Sequence, residues 1–209
     1  MFMVAVRSLP FWCLIMISVL ADQVALGSQA LAELTVKKLT WAGSGCPATI
    51  ESSSKVGQNG SLVLSLPELE VTPALPGASL RSMRKNCLAS LILDYPKDKE
   101  FRIVKATVSI ASKGRSLDGL IRIDQRFQGE STALFQDFEI KGEKPLVKTE
   151  IKLGQTSWSK CGIRKPLMFQ LAARINKIPP EAEAKDTSIL LQGPVELQIV
   201  WRECKVKSH

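Results

Sequence analysis

Apolar and polar residues alternate with a period of two over most of the chain beyond residue 33, as in strands with one buried face. The clearest run is 188–204, in which Val195, Leu197 and Ile199 alternate with polar residues. Eight further runs share this character and are separated by turn residues: 34–41, 61–71, 87–95, 100–112, 119–128, 132–141, 146–158 and 167–178. About nine strands and no helix predict an all-β fold, an antiparallel β-sandwich or the closely related barrel, and we take the sandwich.

Three stretches depart from simple alternation. The run 34–41 has mixed faces, which is typical of an edge or partly covered strand. The apolar set in 61–71 changes phase at Pro67, which confines that point to an edge or a bulge. The segment 43–60 is rich in Gly and Ser and is expected to be a loop; its Asn59-Gly60-Ser61 has the form of both a glycosylation acceptor and a tight turn.

The N-terminal stretch has the layout of a secretory signal peptide. A single charge, Arg7, is followed by the apolar run 10–20 and then by small residues that include Ala30-Leu31-Ala32. The apolar run is shorter than the ~20 residues that span a bilayer. We therefore expect residues 1–32 to be removed, with cleavage after Ala32 or, as second choice, after Ser28.

The remainder, 33–209, is expected to be a single β-sandwich domain, because it contains no internal repeat and no linker. We expect it to be secreted or periplasmic and not to insert stably into a membrane.

The cysteines predict disulfide bonds. Cys13 lies in the signal sequence, which leaves an even number in an exported chain: Cys46, Cys87, Cys161 and Cys204. Four cysteines form two disulfides in one of three connectivities. No two of them are close in sequence and the one histidine is His209, so a zinc site is disfavoured. We expect no metal and no cofactor.

The predicted strands suggest the connectivity. Cys46 follows the first strand and Cys87 begins the third, and antiparallel neighbours place the end of one strand beside the start of the other. Cys161 precedes the 167–178 strand and Cys204 ends the last one. The expected bonds are therefore Cys46–Cys87 and Cys161–Cys204.

Short motifs around these cysteines resemble the family of secreted bacterial and fungal proteins grouped as domain of unknown function 4360. They occur in order along the chain: Gly43-Ser44-Gly45-Cys46-Pro47, Arg84-Lys85-Asn86-Cys87, Tyr95-Pro96, Trp158-Ser159-Lys160-Cys161-Gly162 and Trp201-Arg202-Glu203-Cys204. The resemblance implies an exported, disulfide-bonded, all-β protein with no established activity. It assigns no catalytic residue.

The net charge of +8 is compatible with an acidic partner. The basic residues are scattered and no nucleic-acid-binding motif accompanies them, so we expect no nucleic acid partner; a cell-wall or extracellular acidic polymer is the candidate. Arg84 and Lys85 are the candidate binding residues, because we expect them in a turn beside Cys87. The structural alternative is that Arg84 pairs with a carboxylate and Asn86 bonds the backbone of that turn.

Catalysis by a nucleophile and a histidine is disfavoured, because His209 is the sole histidine and ends the chain. Carboxylate pairs remain candidates by residue type alone: Asp94, Asp118, Asp124, Asp137 and Glu139. Asp124 alternates with Arg122 and Arg126, which favours cross-strand ion pairing over acid/base chemistry.

Three tryptophans lie near the cysteines, namely Trp41, Trp158 and Trp201. We expect them to pack in the core against the disulfides and not to form a sugar-stacking platform. The hypothesis is a non-enzymatic binding or structural module outside the cell, and the alternative is a carboxylate-dependent hydrolase of extracellular polysaccharide.

Overall fold

The structure is a computed structural model that describes residues 34–46, 53–57, 60–73, 83–131, 134–154, 157–177 and 184–204. The predicted signal peptide, Asn59 and His209 lie outside the described residues. Within these ranges no helix is long and apolar enough to cross a membrane.

The described residues form eleven strands, which confirms the all-β prediction. They are β1 (Thr35–Ala42), β2 (Ser54–Val56), β3 (Leu62–Ser65), β4 (Leu69–Val71), β5 (Arg84–Asp94), β6 (Lys99–Lys113), β7 (Asp118–Phe127), β8 (Leu134–Lys141), β9 (Lys144–Lys152), β10 (Leu167–Ile175) and β11 (Ser188–Glu203). Two details differ from the expected nine. The 61–71 run is divided near Pro67 into β3 and β4, and β2 lies in the segment expected to be a loop.

Two antiparallel sheets make up the sandwich. Sheet A has the order β1-β5-β10-β7-β8, and sheet B has the order β2-β3-β11-β6-β9, with β4 also paired to β11. The mixed-face strand β1 lies at an edge of sheet A, as its pattern predicts. Both sheets direct alternate apolar residues into one buried cluster, for example Phe169 and Ile121 from sheet A and Leu197 and Ile103 from sheet B.

The two expected disulfides are present. The Cα–Cα distances are 5.2 Å for Cys46–Cys87 and 5.9 Å for Cys161–Cys204. The first bond forms for the expected reason, because β1 pairs antiparallel with β5 and brings Ala42 opposite Leu88. The reasoning for the second was wrong, because β10 and β11 belong to different sheets.

The Gly43–Cys46 loop is held against β5 by Asn86. The backbone N–H of Gly45 donates to the Asn86 carbonyl at 3.0 Å, and the Ser44 hydroxyl donates to Asn86 Oδ1 at 3.0 Å. Gly43 has φ of 135°, and a Cβ there would collide with the Asn86 carbonyl oxygen. The glycine and asparagine of the two upstream motifs therefore shape the loop that carries Cys46.

The downstream motifs meet at the other end of β5. The Ser159 hydroxyl accepts from the backbone N–H of Phe101 at 2.9 Å, and the Tyr95 hydroxyl donates to the Ile163 carbonyl at 3.4 Å. The Cys204 backbone N–H donates to the Asp98 carbonyl at 2.7 Å. The Cys161–Cys204 bond thus lies among the hydrogen-bonded segments at the end of the sandwich where β5 ends.

The tryptophans divide into two kinds. Trp41 is buried in the core, and Trp201 packs partly buried beside Tyr95, with ring centroids 6.1 Å apart. Trp158 contradicts the core prediction. Its ring lies under the guanidinium groups of Arg102 and Arg202, 4.8 and 4.1 Å from their Cζ atoms, on the outer face of sheet B.

Candidate functional site

Three arginines meet on the outer face of sheet A, and the pairing register brings them there. Arg174 of β10 lies directly opposite Arg84 of β5, and on its other side opposite Leu120 of β7. Arg122 of β7 lies opposite Ala172, two residues before Arg174 on β10. Because alternate residues of a strand share a face, all three arginines stand on the solvent side. We call Arg84, Arg122 and Arg174 the arginine cluster.

A small cavity lies between the three guanidinium-bearing side chains. Its volume is about 20 Å³, and Ala172 and Leu120, both buried, form its floor. A space of this size holds about one water molecule. It therefore fits a single oxygen of a larger group and does not enclose a ligand.

Arg122 is fixed by Asp137 of the neighbouring strand β8. Its Nε and NH2 donate to the two carboxylate oxygens at 2.6 and 2.7 Å, a bidentate pair. The hydrogen bond from Arg122 lowers the pKa of Asp137, and Arg174 acts in the same direction through its charge. The Arg122 guanidinium also lies 4.1 Å from the ring centre of Phe135, which is exposed. Arg122 is therefore a preorganised wall of the cavity.

Arg84 and Arg174 are different, because neither has a carboxylate within 4.0 Å among the described residues. Like charges directly opposite each other on neighbouring strands destabilise a sheet. The structural alternative for Arg84, pairing with a carboxylate, is thus not found in the described part of the chain. Two guanidinium groups on directly opposed residues, with no carboxylate within 4.0 Å among the described residues, have the chemistry to hold an anion.

Lys85 does not join this cluster. It lies in β5 opposite the buried Ala173, so its side chain stands on the other face of the sheet from Arg84, and its Cβ approaches Gly45. The expectation that Arg84 and Lys85 lie in a turn was wrong, since β5 begins at Arg84. Strand alternation separates the two candidate residues.

Four of the five candidate carboxylates are engaged in ion pairs. Asp94 binds Arg164 at 2.6 Å and Lys37 at 3.5 Å. The other three pairs are Asp118 with Lys177, Asp137 with Arg122, and Glu139 with Lys141. These contacts account for the four side chains structurally.

Asp124 is the exception, and its expected cross-strand ion pair is absent from the described residues. Arg122 is engaged by Asp137, while Asp124 lies opposite Phe135 and Gln170. Burial raises the pKa of Asp124, against the opposing charges of Arg126 and Arg122. Among the described residues no group of three His, Cys, Asp or Glu could hold a metal ion.

A sequence profile of the family described as a domain of unknown function (DUF4360) matches residues 32–204. The chain belongs to this family. The match spans the eleven strands of the described residues and the four disulfide-bonded cysteines of this DUF4360 protein. The sequence has no match among curated proteins.

Three solved structures similar to this DUF4360 protein are distant from it. A family 11 carbohydrate-binding module from Clostridium thermocellum, in complex with a β-1,3-1,4-mixed-linked tetrasaccharide, is 13% identical, with 79% of this chain and 95% of that chain covered and a TM-score of 0.34. TmCBM61 in complex with β-1,4-galactotriose is 6% identical, with coverages of 80% and 90% and a TM-score of 0.34. The Stig cyclase Fisc from Fischerella sp. TAU is 13% identical, with coverages of 76% and 84% and the same TM-score of 0.34. These likenesses are too weak for any ligand or activity to be transferred.

Sequence reasoning about this DUF4360 protein found Arg84 but not Arg174. The alternation of the 167–178 run places Arg174 on the polar side, which is the available signal. Nothing local indicates that β10 lies between β5 and β7, so the three arginines are neighbours only through the sheet order.

Proposed function

We propose that this DUF4360 protein is an exported, non-enzymatic module that binds an acidic extracellular polymer through the arginine cluster. The observation that carries the proposal is the facing pair Arg84–Arg174, which has no carboxylate partner among the described residues. Such a pair costs stability in the free protein and gains from a bound anion.

The ligand group follows from guanidinium chemistry. Arginine presents a planar fork of donors that matches the oxygens of a carboxylate, sulfate or phosphate. The cavity admits one oxygen, so we expect the acidic group to project from a polymer that lies across sheet A. The net charge of +8 favours encounter with such a polymer, and two disulfides suit an oxidising compartment outside the cytoplasm.

The test is calorimetric titration with three acidic polymers and neutral dextran. Polygalacturonate, dextran sulfate and polyphosphate separate carboxylate, sulfate and phosphate as the recognised group. Replacing Arg84 and Arg174 together by Ala removes two charge-assisted contacts, each worth about 1.5–3 kcal/mol. Together the two losses amount to about 3–6 kcal/mol, so we expect the affinity for the preferred polymer to fall by at least about a hundredfold.

Two control variants distinguish binding at the arginine cluster from nonspecific attraction of the polymer to the positively charged protein. Lys148→Ala with Lys152→Ala removes the same charge from exposed positions of β9 in sheet B. Lys85→Ala changes the residue next to Arg84 on the other face. Binding that survives the arginine double variant, or that falls equally in the β9 double variant, would exclude the cluster as the site.

The alternative, a carboxylate-dependent hydrolase, has a supporting observation on sheet A. Burial raises the pKa of Asp124, as a general acid requires. The nearby Asp137 is held by Arg122 in a bidentate pair, which suits it to structure and not to attack. A reducing-end assay on polygalacturonate, dextran sulfate and dextran decides between the two. The hydrolase alternative expects new ends with the wild type and few with Asp124→Asn, whereas the binding proposal expects none with the wild type.

A further inference from the structure

A second and larger cavity lies on the outer face of sheet B. Its volume is about 230 Å³. We call it the sheet B groove, and it is lined by Ser61, Lys105, Thr107, Glu150, Glu196 and Gln198. It occupies the side of the sandwich opposite the arginine cluster and shares no residue with it.

Strand register builds the groove. Glu196 of β11, Thr107 of β6 and Glu150 of β9 form one row across three strands, with Gln198 and Lys105 in the next row. Since neighbouring strands lie about 4.8 Å apart, the Cα atoms of Glu196 and Glu150 are about 10 Å apart. Thr107 forms the floor between them.

Two irregularities bound this stretch of sheet. The β11–β6 register shifts between Gln192 and Glu196, and again between Gln198 and Ile199. Gly193, with φ of 77°, lies in the first shift. Because bulges bend and twist a strand, they redirect the side chains that lie between them. The regular segment Glu196–Gln198 between the shifts is the part that lines the groove.

The lining mixes donors and acceptors. The Lys105 ammonium donates to Glu150 Oε1 at 2.9 Å, whereas Glu196 has no ion-pair partner among the described residues. Gln198 adds an amide, and Ser61 and Thr107 add hydroxyls. The two carboxylates and one ammonium leave a charge of −1, which disfavours an anion, and Lys105 disfavours a simple cation.

Hydroxyl groups satisfy this mixture, because each one both donates and accepts. We propose that the sheet B groove is a second binding site, for an uncharged saccharide, with Glu196 and Gln198 as the main hydrogen-bonding residues. The volume is several times the ~30 Å³ that one water occupies in the liquid, so one sugar ring fits. The described residues of the groove lining include no aromatic ring, so the affinity should be weak, with a Kd of about 1 mM.

The test is an NMR titration of the ¹⁵N-labelled, disulfide-bonded full chain with cellotetraose, xylotetraose and mannotetraose. We expect at least one of them to shift the amide signals of Thr107, Gln198 and Glu150. Glu196→Ala and Gln198→Ala should each raise the Kd by about tenfold, as expected for loss of a hydrogen bond to a charged or amide group. Both positions are exposed, so the spectra should show the fold retained.

Matched variants distinguish this site from the arginine cluster. Glu143→Ala removes an exposed carboxylate outside the groove and should leave the Kd unchanged. Arg84→Ala with Arg174→Ala should also leave it unchanged, even where it abolishes polymer binding. No shift at these amides with any of the three sugars up to about 20 mM would overturn the proposal. So would a Kd unaffected by both groove variants, or the release of shorter sugars, which would make the carboxylates catalytic.

Discussion

Arg84 and Arg174, directly opposite each other on neighbouring strands, should lower the stability of the free protein even though they favour binding of an anion. Arg84→Glu turns a like-charge cross-strand pair with Arg174 into an opposite-charge pair. The substitution should therefore stabilise the free protein while it abolishes binding of the acidic polymer. Arg84 is the better position to change, because the charge of Arg174 also acts favourably on Asp137.

The magnitude follows from the position of the pair. A directly opposed charged pair on a sheet is worth roughly 0.2–1 kcal/mol in either direction. Removing the repulsion and adding an attraction therefore gives a gain of about 1 kcal/mol. For a domain of 150–250 residues this corresponds to a rise in Tm of roughly 2–4 °C.

Differential scanning calorimetry at low and high salt measures the effect. Salt at about 1 M shortens the Debye length to about 3 Å, so the gain should largely vanish there. Arg84→Gln should show about half of the gain, and Lys85→Glu none, because Lys85 faces Ala173. An Arg84→Glu protein that is less stable than wild type at low salt, or a gain that persists at high salt, would refute the reasoning.

Three further predictions concern stability. Gln125 is 2% exposed, and its side-chain amide has no hydrogen-bond partner among the described residues. Gln125→Met should therefore raise the free energy of unfolding, measured in urea, by about 1–3 kcal/mol. A lower free energy of unfolding would instead show that the amide has a hydrogen-bond partner. Burial raises the pKa of Asp124 in the folded state. Ionised Asp124 therefore lowers the free energy of unfolding at pH values above this folded-state pKa, and the effect disappears below the pKa of Asp124 in the unfolded chain. Asp124→Asn should thus raise Tm at about pH 7 and leave it unchanged at about pH 3, and the reverse order would contradict this. Cys46→Ser with Cys87→Ser opens a loop between residues 41 positions apart in sequence. The double variant should lower the free energy of unfolding in urea by about 4 kcal/mol, because the unfolded chain is no longer constrained. A decrease of less than about 1 kcal/mol would contradict a stabilising role for this disulfide.

Much of the fold was readable from local pattern. Alternation in the 167–178 run predicted that Leu167, Phe169 and Leu171 share a face, and all three are fully buried. The phase change at Pro67 predicted an irregularity at that point, and the irregularity is present, although it divides the expected single strand into β3 and β4. These inferences succeed because the two-residue period depends only on neighbours along the chain.

The prediction that each disulfide joins the end of one strand to the start of its antiparallel neighbour explains one of the two bonds. It holds for Cys46–Cys87, because β1 and β5 are neighbours in sheet A. It fails as an explanation for Cys161–Cys204, because β10 and β11 lie in different sheets. Strand β2 was missed since a three-residue strand is too short to show a period.

The order of residues along the chain specifies which positions alternate, which cysteines are present and which side chains carry charge. The assembled sheets bring Arg84 beside Arg174 and Arg122 and place Lys85 on the other face of sheet A. They also set Glu196 and Glu150 along one groove. Burial of a strand face requires only a period along the chain, whereas strand order results from packing between segments far apart in sequence. The arginine cluster, assembled from three strands, is therefore a property of the sheet order and not of any single motif.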